Sequence, residues 1–314
     1  MELRHLRCFL AVAEELHFAR AAEKLHIDQS PLSRTIKELE DVLGAPLFVR
    51  TTRSTRLTRA GKLFLEHVPR VFAALDQARA SVRAAAAGYH GQLRIALSDG
   101  IAPAWFSSLM ALCRQEDPDI AIRFVEVPLA QQIKGLHDDL YDVGFAQSAD
   151  VGDGLLAEPA WSDPLRVAIP ARHPLLAHAR IPLDEVLRYP LVMGDAHACE
   201  GYNRQIERLL RTVDREPLVD ERVLSFDLMM ALVAAGFALA IAGASQIAAS
   251  REPGIVARPL DGRPPLLTTY MLRPDADPSG ALSRFIDRVA ALEINTGKAR
   301  DGIAPDTDEL EDSP

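Results

Sequence analysis

Residues 18–61 read FARAAEKLHIDQSPLSRTIKELEDVLGAPLFVRTTRSTRLTRAG: a short helix, a tight turn, a second capped helix, then an arginine-studded hairpin carrying no acid. Ala19, Ala22 and Leu25 recur at helical spacing, and the small residues let the next helix approach across the turn at His26 and Ile27. Asp28 stands where an N-cap accepts backbone N–H groups. Pro31 falls in the first turn, where its missing donor costs nothing, and Leu32, Ile36, Leu39 and Leu43 mark a buried face. Gln29, Ser30, Pro31, Ser33, Arg34 and Lys37 then sit near the N-terminal end that a recognition helix presents to base edges and phosphates. A solvated helix face would look the same, so the residues beyond the helix decide between the two. Gly44 can end the helix in a left-handed cap, and the β-prone segments 47–49 and 55–58 flank a basic turn with Arg50, Thr52 and Arg53. That arrangement is a wing.

Upstream, Leu3, Leu6, Phe9, Leu10 and Ala13 give a first helix with one apolar stripe. The full chain of 314 residues is 48% hydrophobic, enough for two compact domains plus a small module. Its formal charge is −9, from 35 basic and 44 acidic side chains, which by itself argues against a nucleic-acid partner. Distribution outweighs the total: between Val42 and Leu65 the only charges are Arg50, Arg53, Arg56, Arg59 and Lys62. Cys8, Cys113 and Cys199 are too few and too scattered for a disulfide framework or a metal knuckle. No metal and no cofactor is implied. The N-terminus lacks a basic stretch leading into an apolar core, and no run is long enough to span a bilayer, so a cytoplasmic protein with no membrane association is expected.

These residues amount to a resemblance to the winged helix-turn-helix of LysR-type transcriptional regulators. Leu3, Phe9 and Val12 fit that family's opening helix, and Phe18, Ala21, Ala22 and Leu25 its second. Gln29-Ser30-Pro31-Leu32-Ser33, Ile36, Leu39 and Glu40 fit its recognition helix. Leu43-Gly44, Leu47-Phe48, Arg50, Arg53, Leu57-Thr58 and Ala60-Gly61 fit its wing. Asp28 stands where the family often has serine and Thr55 where valine is usual; the first leaves an acid near the DNA backbone.

Beyond the wing, Phe64, Val68, Val71, Leu75, Ala78, Val82 and Ala85 alternate steps of four and three, the seam of a two-stranded coil. Such a helix needs a partner, and pairing would let two modules read the half-sites of a near-palindrome in double-stranded DNA. The resemblance implies the same: a homodimer through this linker helix, a homotetramer, and a partnership with RNA polymerase. Gly88 and Gly91 around Tyr89-His90 make an exit from the helix.

From Leu93 short apolar strands alternate with helical segments, with strands at 93–97, 120–127, 143–146, 165–169, 191–193, 238–242 and 268–272. Helices are expected at 103–114, 131–136, 203–213, 227–235 and 279–292. This predicts an α/β domain with largely parallel sheets. The resemblance continues through Asp142-Val143-Gly144-Phe145, the segment 171–175 and Leu232-Val233-Ala234-Ala235-Gly236. It implies a two-lobed, periplasmic-binding-protein-like effector domain with a cleft. The expected organisation is a winged helix-turn-helix domain at 1–61, a linker helix and hinge at 62–90, and an effector-binding domain at 91–295. Within the last, lobe I takes 91–162 and 268–295 and lobe II takes 163–267. An acidic tail at 296–314, without apolar period, is expected to be disordered.

Ligands of open α/β sheets sit beyond the carboxyl ends of strands. That rule selects Ser98, Asp99, Gly100 and Ile101 after the first strand, Pro128 and Leu129 after the second, and Gln147 after the third. From the other lobe it selects Asp195, His197, Tyr202, Ser225 and Phe226. Each, taken singly, also fits a helix cap or a solvated loop. No arginine or lysine occurs among them, so a carboxylate ligand would depend on helix N-termini and hydroxyls, whereas Asp99 and Asp195 would welcome a cationic or hydroxyl-rich molecule. A small polar or aromatic metabolite is the expected effector. Two rival readings remain: an enzyme using His197 and Cys199, for which no oxyanion motif is evident, and a DNA-binding protein without ligand.

Overall fold

The computed structural model describes residues 1–50, 55–86, 90–101, 103–250 and 252–301. The chain divides into two compact units, Met1–Ala80 and Ser81–Pro314. No described helix is long and apolar enough to cross a membrane.

The first unit is built from α1 (Leu3–Glu15), α2 (Phe18–Lys24), α3 (Gln29–Leu43), β1 (Phe48–Arg50), β2 (Thr55–Leu57) and the start of α4 (Arg59–Ala86). Phe9, Val12, Ala21, Leu32, Ile36 and Leu39 are fully buried, each large side chain contributing roughly 1.5–3 kcal/mol. Phe9 meets Phe64 edge-on at 4.9 Å and Phe48 at 5.5 Å, so helix, wing and linker share one core. The tight turn after α2 closes when Ile27 N–H reaches Ala22 C=O and His26 takes a left-handed φ of 54°. Ala21 at 0% and Ala22 at 3% exposure leave room for α3 to pack there. Gly44, with φ 69°, ends α3: its N–H bonds Asp41 C=O, and Ala45 N–H bonds Glu40 C=O.

Two details differ from the sequence expectation. Asp28 occupies the N-cap position, but its carboxylate makes no cap hydrogen bond and stays exposed. Leu43 is 38% exposed, because the last turn of α3 runs past the core before Gly44 reverses the chain. The wing pairs Phe48 with Leu57 and Arg50 with Thr55, antiparallel. Thr58 Oγ1 then accepts Gly61 N–H at 2.9 Å to start α4, and a side chain at Gly61 would overlap the Leu47 carbonyl.

In the second unit, β3 (Gly91–Leu97), β4 (Ile120–Glu126) and β5 (Val143–Ala146) are parallel neighbours in the order β4, β3, β5. The 16-residue strand β6 (Leu155–Pro170) joins the lobes. Its first part pairs antiparallel with β11 (Leu266–Pro274), and its last part with β9 (Ala240–Gly243) and β10 (Ile255–Pro259). A small parallel pair, β7 (Leu191–Gly194) with β8 (Val219–Val223), completes the second lobe. The sheets are therefore mixed rather than largely parallel: strands crossing between lobes run back against their neighbours, which a pattern of apolar runs cannot reveal. β8, with polar residues at three of its five positions, and β10, which ends on Arg258 and Pro259, were not among the expected strands.

Helices α5 (Pro103–Glu116), α6 (Leu129–His137), α8 (Glu200–Leu210), α9 (Phe226–Ala234), α10 (Ala244–Ala249) and α11 (Gly280–Asp301) cover these sheets, and the short α7 (Leu183–Val186) precedes β7. α9 ends as Gly236 takes φ 80°, with Phe237 N–H bonded to Leu232 C=O, which accounts for the Leu232–Gly236 motif. Asp142 accepts the backbone N–H of Arg94 at 2.7 Å and its Nη2 at 2.6 Å. Two residues on, a Cβ at Gly144 would meet Gln132 Nε2 at 2.7 Å, which accounts for the Asp142–Phe145 motif. Arg288 and Arg284 of α11 bond Asp117 at 2.6 and 2.9 Å, fastening that helix to the end of α5. α11 continues to Asp301, past the expected end at Leu292 and into the segment expected to be disordered; residues 302–314 lie outside the described residues.

Candidate functional site

On the first unit, Gln29, Ser30, Pro31, Arg34 and Lys37 are exposed along α3. Arg56, Arg59 and Lys62 are exposed after it on β2 and α4, while Thr52 and Arg53 lie outside the described residues. Ser33 is half-buried and committed: its Oγ accepts from Arg50 Nη1 at 2.9 Å. Arg50 also reaches Glu40 Oε2 at 3.4 Å and lies 4.3 Å over the Phe18 ring. Glu40 Oε1 in turn accepts the N–H groups of Leu47 and Phe48 at 2.8 and 3.1 Å, fixing the wing's entry to α3. Arg50 is thus a clamp between α2, α3 and β1, with Glu40 as a carboxylate partner.

On the second unit, a cavity of about 570 Å³ opens between the lobes at the carboxyl ends of β3, β4 and β7. Of the sequence-selected residues, Ser98, Asp99, Gly100, Ile101, Pro128, Tyr202, Ser225 and Phe226 line it. Leu129, Gln147, Asp195 and His197 are placed elsewhere. Leu129 begins α6 and is 2% exposed in the lobe core. Gln147 is buried between the lobes, its carbonyl accepting from Gln205 Nε2 at 2.7 Å. Asp195 Oδ1 accepts the N–H groups of His197 and Ala198, both at 2.9 Å, and these bonds hold its carboxyl below the usual range. His197 itself is exposed on that turn.

Strand-end reasoning found the loops but not how far along each of them the cavity wall extends. Phe106, Glu126, Cys199, Met229 and Gln246 also line the cavity and were missed. Gln246 had no signal in the alanine-rich run around α10, yet its Nε2 donates to Gly100 C=O at 2.6 Å across the lobes.

Asp99 is the most constrained of these groups. It is 6% exposed, with φ 62°, and it is followed by Gly100 at φ 64°. Its Oδ2 accepts from Gln147 N–H and Ser98 Oγ, both at 3.1 Å, and its Oδ1 from Gly201 N–H of α8 at 2.9 Å. Burial pushes its carboxyl above the ordinary range, and these donors pull part of the way back. Tyr202 contributes its ring only, because its hydroxyl donates to Ile241 C=O at 2.6 Å. Ser225 Oγ caps α9 by accepting Leu228 N–H at 3.2 Å. Burial raises the Cys199 thiol, with the charges of Asp99 and Asp195 acting the same way, so it is held as a thiol.

Residues 3–62 match the family described as bacterial regulatory helix-turn-helix protein, lysR family, and residues 86–292 match the LysR substrate binding domain. The chain is 36% identical over 247 residues to the uncharacterized HTH-type transcriptional regulator YnfL of Escherichia coli (strain K12), across 78% of this chain and 83% of that protein. It is 32% identical to the HTH-type transcriptional regulator XapR of the same strain, across 84% of this chain and 89% of XapR. The structure of full-length CbnR complexed with its target DNA is similar with a TM-score of 0.74 at 26% identity, covering 93% of this chain and 100% of that one. With the helix-turn-helix at its N-terminus and the two-lobed α/β domain behind it, the chain belongs to the LysR family of DNA-binding transcriptional regulators.

Proposed function

We propose that this LysR-type regulator reads promoter DNA through the exposed face of α3 and the wing, and takes its effector in the inter-lobe cavity. The reader residues are Gln29, Ser30, Pro31, Arg34 and Lys37, with Thr52 and Arg53 at the wing, while Ser33 and Arg50 act by holding wing to helix. The exposure of Arg34 and Lys37 on α3, and of Arg56, Arg59 and Lys62 after it in the chain, supports this interface. The observation that carries the effector reading is the convergence of strand-end loops from both lobes on one cavity of about 570 Å³, a size that suits a small metabolite.

The protein acts as a homodimer joined by α4 and assembles as a tetramer on near-palindromic half-sites, in the cytoplasm and in company with RNA polymerase. Val71 at 45% and Val82 at 70% exposure lie on the α4 heptad seam and support the pairing. Effector binding favours one inter-lobe arrangement, and the population shift repositions the paired reading heads. Catalysis is no part of this role: the family consists of transcriptional regulators, and Cys199 is held as a thiol while His197 faces solvent.

The test is thermal melting of the full chain against a metabolite panel, paired with footprinting on DNA recovered by crosslinking. A compound that raises the melting temperature and alters the footprint is the expected result. If no compound changes either, the effector reading falls and a ligand-independent DNA-binding protein takes its place.

A further inference from the structure

Helix α8 starts without a cap of its own. Cys199 stands at its N-cap and makes no side-chain hydrogen bond. Its free N–H groups are answered from the other lobe, by Asp99, which accepts Gly201 N–H at 2.9 Å. The approach is close enough to need glycine: a Cβ at Gly201 would meet Asp99 Oδ2 at 2.5 Å and the Gln147 carbonyl carbon at 2.8 Å. The left-handed backbone at Asp99 and Gly100, which a non-glycine residue seldom adopts, delivers the carboxylate to that point. Gln246 holds the same loop through Gly100 C=O.

A helix N-terminus facing a cavity ordinarily attracts an anion. Here the seat is filled by the protein. Donors from Ser98, Gln147 and Gly201 surround the carboxylate, so little of it is left to pair with a ligand. Around it the cavity wall carries a second acid, Glu126, the apolar side chains of Ile101, Phe106, Phe226 and Met229, and, among the described residues, no lysine, arginine or histidine. An entering carboxylate would meet the negative charge of Asp99 and Glu126, with no cation among the described wall residues to offset it.

We infer that Asp99 is a built-in anion that occupies the α8 N-terminus in place of a ligand's acid group, and that the effector is therefore an uncharged or cationic molecule with an apolar body. The inference rests on the cavity being the effector site. It also makes Asp99 a specificity-determining residue, one whose removal re-opens an anion seat.

The experiment is calorimetric titration of the full-length protein with benzoate, benzyl alcohol and benzylamine, which share a ring and differ in charge. The unmodified protein is expected to bind the alcohol or the amine about tenfold or more tightly than benzoate. Asp99→Ser is expected to bind benzoate about tenfold or more tightly than the unmodified protein. Equal or better binding of benzoate by the unmodified protein overturns the inference even where the variant does not fold, and so does a folded Asp99→Ser with no gain for benzoate. Ala198→Trp, which fills the cavity from its wall, separates the two levels. Cavity-dependent binding without charge preference defeats the inference alone, whereas binding indifferent to Ala198→Trp defeats the effector-site reading and the inference with it.

Discussion

The Arg50 guanidinium lies 4.3 Å over the ring of Phe18. It joins the first residue of α2 to the last of β1, and the same guanidinium bonds Ser33 on α3. The cation–π contact is worth about 0.5–1 kcal/mol, and the hydrogen bond to Ser33 adds about 1 kcal/mol. Arg50→Ala is expected to lower the stability of the first unit by about 1–2 kcal/mol and to weaken binding to all DNA sequences alike. Melting curves and gel shifts on specific and scrambled duplexes measure both, and a change confined to one base position would make Arg50 a reader instead of a clamp.

Arg34 is exposed on α3 and free to meet a base edge. Arg34→Ala is expected to cost about 1–3 kcal/mol on the preferred sequence and much less elsewhere. Arg53→Ala, between β1 and β2 in the chain, should weaken binding uniformly and reduce the salt slope by about one. Selection from a random duplex pool at several salt concentrations checks the pair. Equal, sequence-blind losses from both would mean that α3 does not read bases.

Val82 is 70% exposed on the α4 seam. In the proposed α4 pairing Val82→Glu places like charges opposite each other, and it is expected to shift the protein toward monomer. Sedimentation equilibrium reads the change, and an unaltered assembly state would remove α4 as the pairing element.

Gly201→Ala is expected to push α8 away from Asp99, since the new methyl would lie 2.5 Å from Oδ2. Overpacking of this kind costs about 1–3 kcal/mol. The loss should appear as a lower melting temperature and a weaker response to effector, with DNA affinity unchanged without effector.

The raised carboxyl of Asp99 gives stability a defined slope. The folded state holds its proton to higher pH than the unfolded chain, so this group's contribution to stability falls as pH rises from the ordinary carboxylate range through the raised value. Asp117, held low by Arg284 and Arg288, works in the opposite sense and is common to both proteins in the comparison. The stability of the unmodified protein minus that of Asp99→Asn should therefore decline with rising pH across that window. Denaturant titrations at several pH values measure it, and a flat or rising difference would show that Asp99 is not disfavoured as an anion.

Much of the first unit was legible in residues 18–61, because its signals are local. A helical period marks α3 at Leu32, Ile36 and Leu39; Gly44 marks its end; and the pairing of β1 with β2 comes from two β-prone segments close together in the chain. Leu43 shows where that reasoning stops, since period places it on the buried face and only the packed core decides that it lies beyond the edge. In the second unit the loops after β3, β4 and β7 could be placed from strand ends, but Gln246 and Phe106 carried no mark. Their positions depend on helices returning from distant parts of the chain.

The sequence by itself determined the type of each strong element, the local concentration of base at the wing and the heptad seam of α4, all of which depend on neighbours within a few turns of chain. The tertiary structure decided which charges are free. Arg50 and Asp99 look like a DNA contact and a ligand contact in sequence, yet folding brings donors and acceptors from remote segments to each: Phe18, Ser33 and Glu40 to one, Gln147 and Gly201 to the other. Burial makes such internal pairing obligatory for Asp99, whereas Arg50 is held at the surface by partners within reach, and in both cases pairing between segments distant in the chain leaves no period to read.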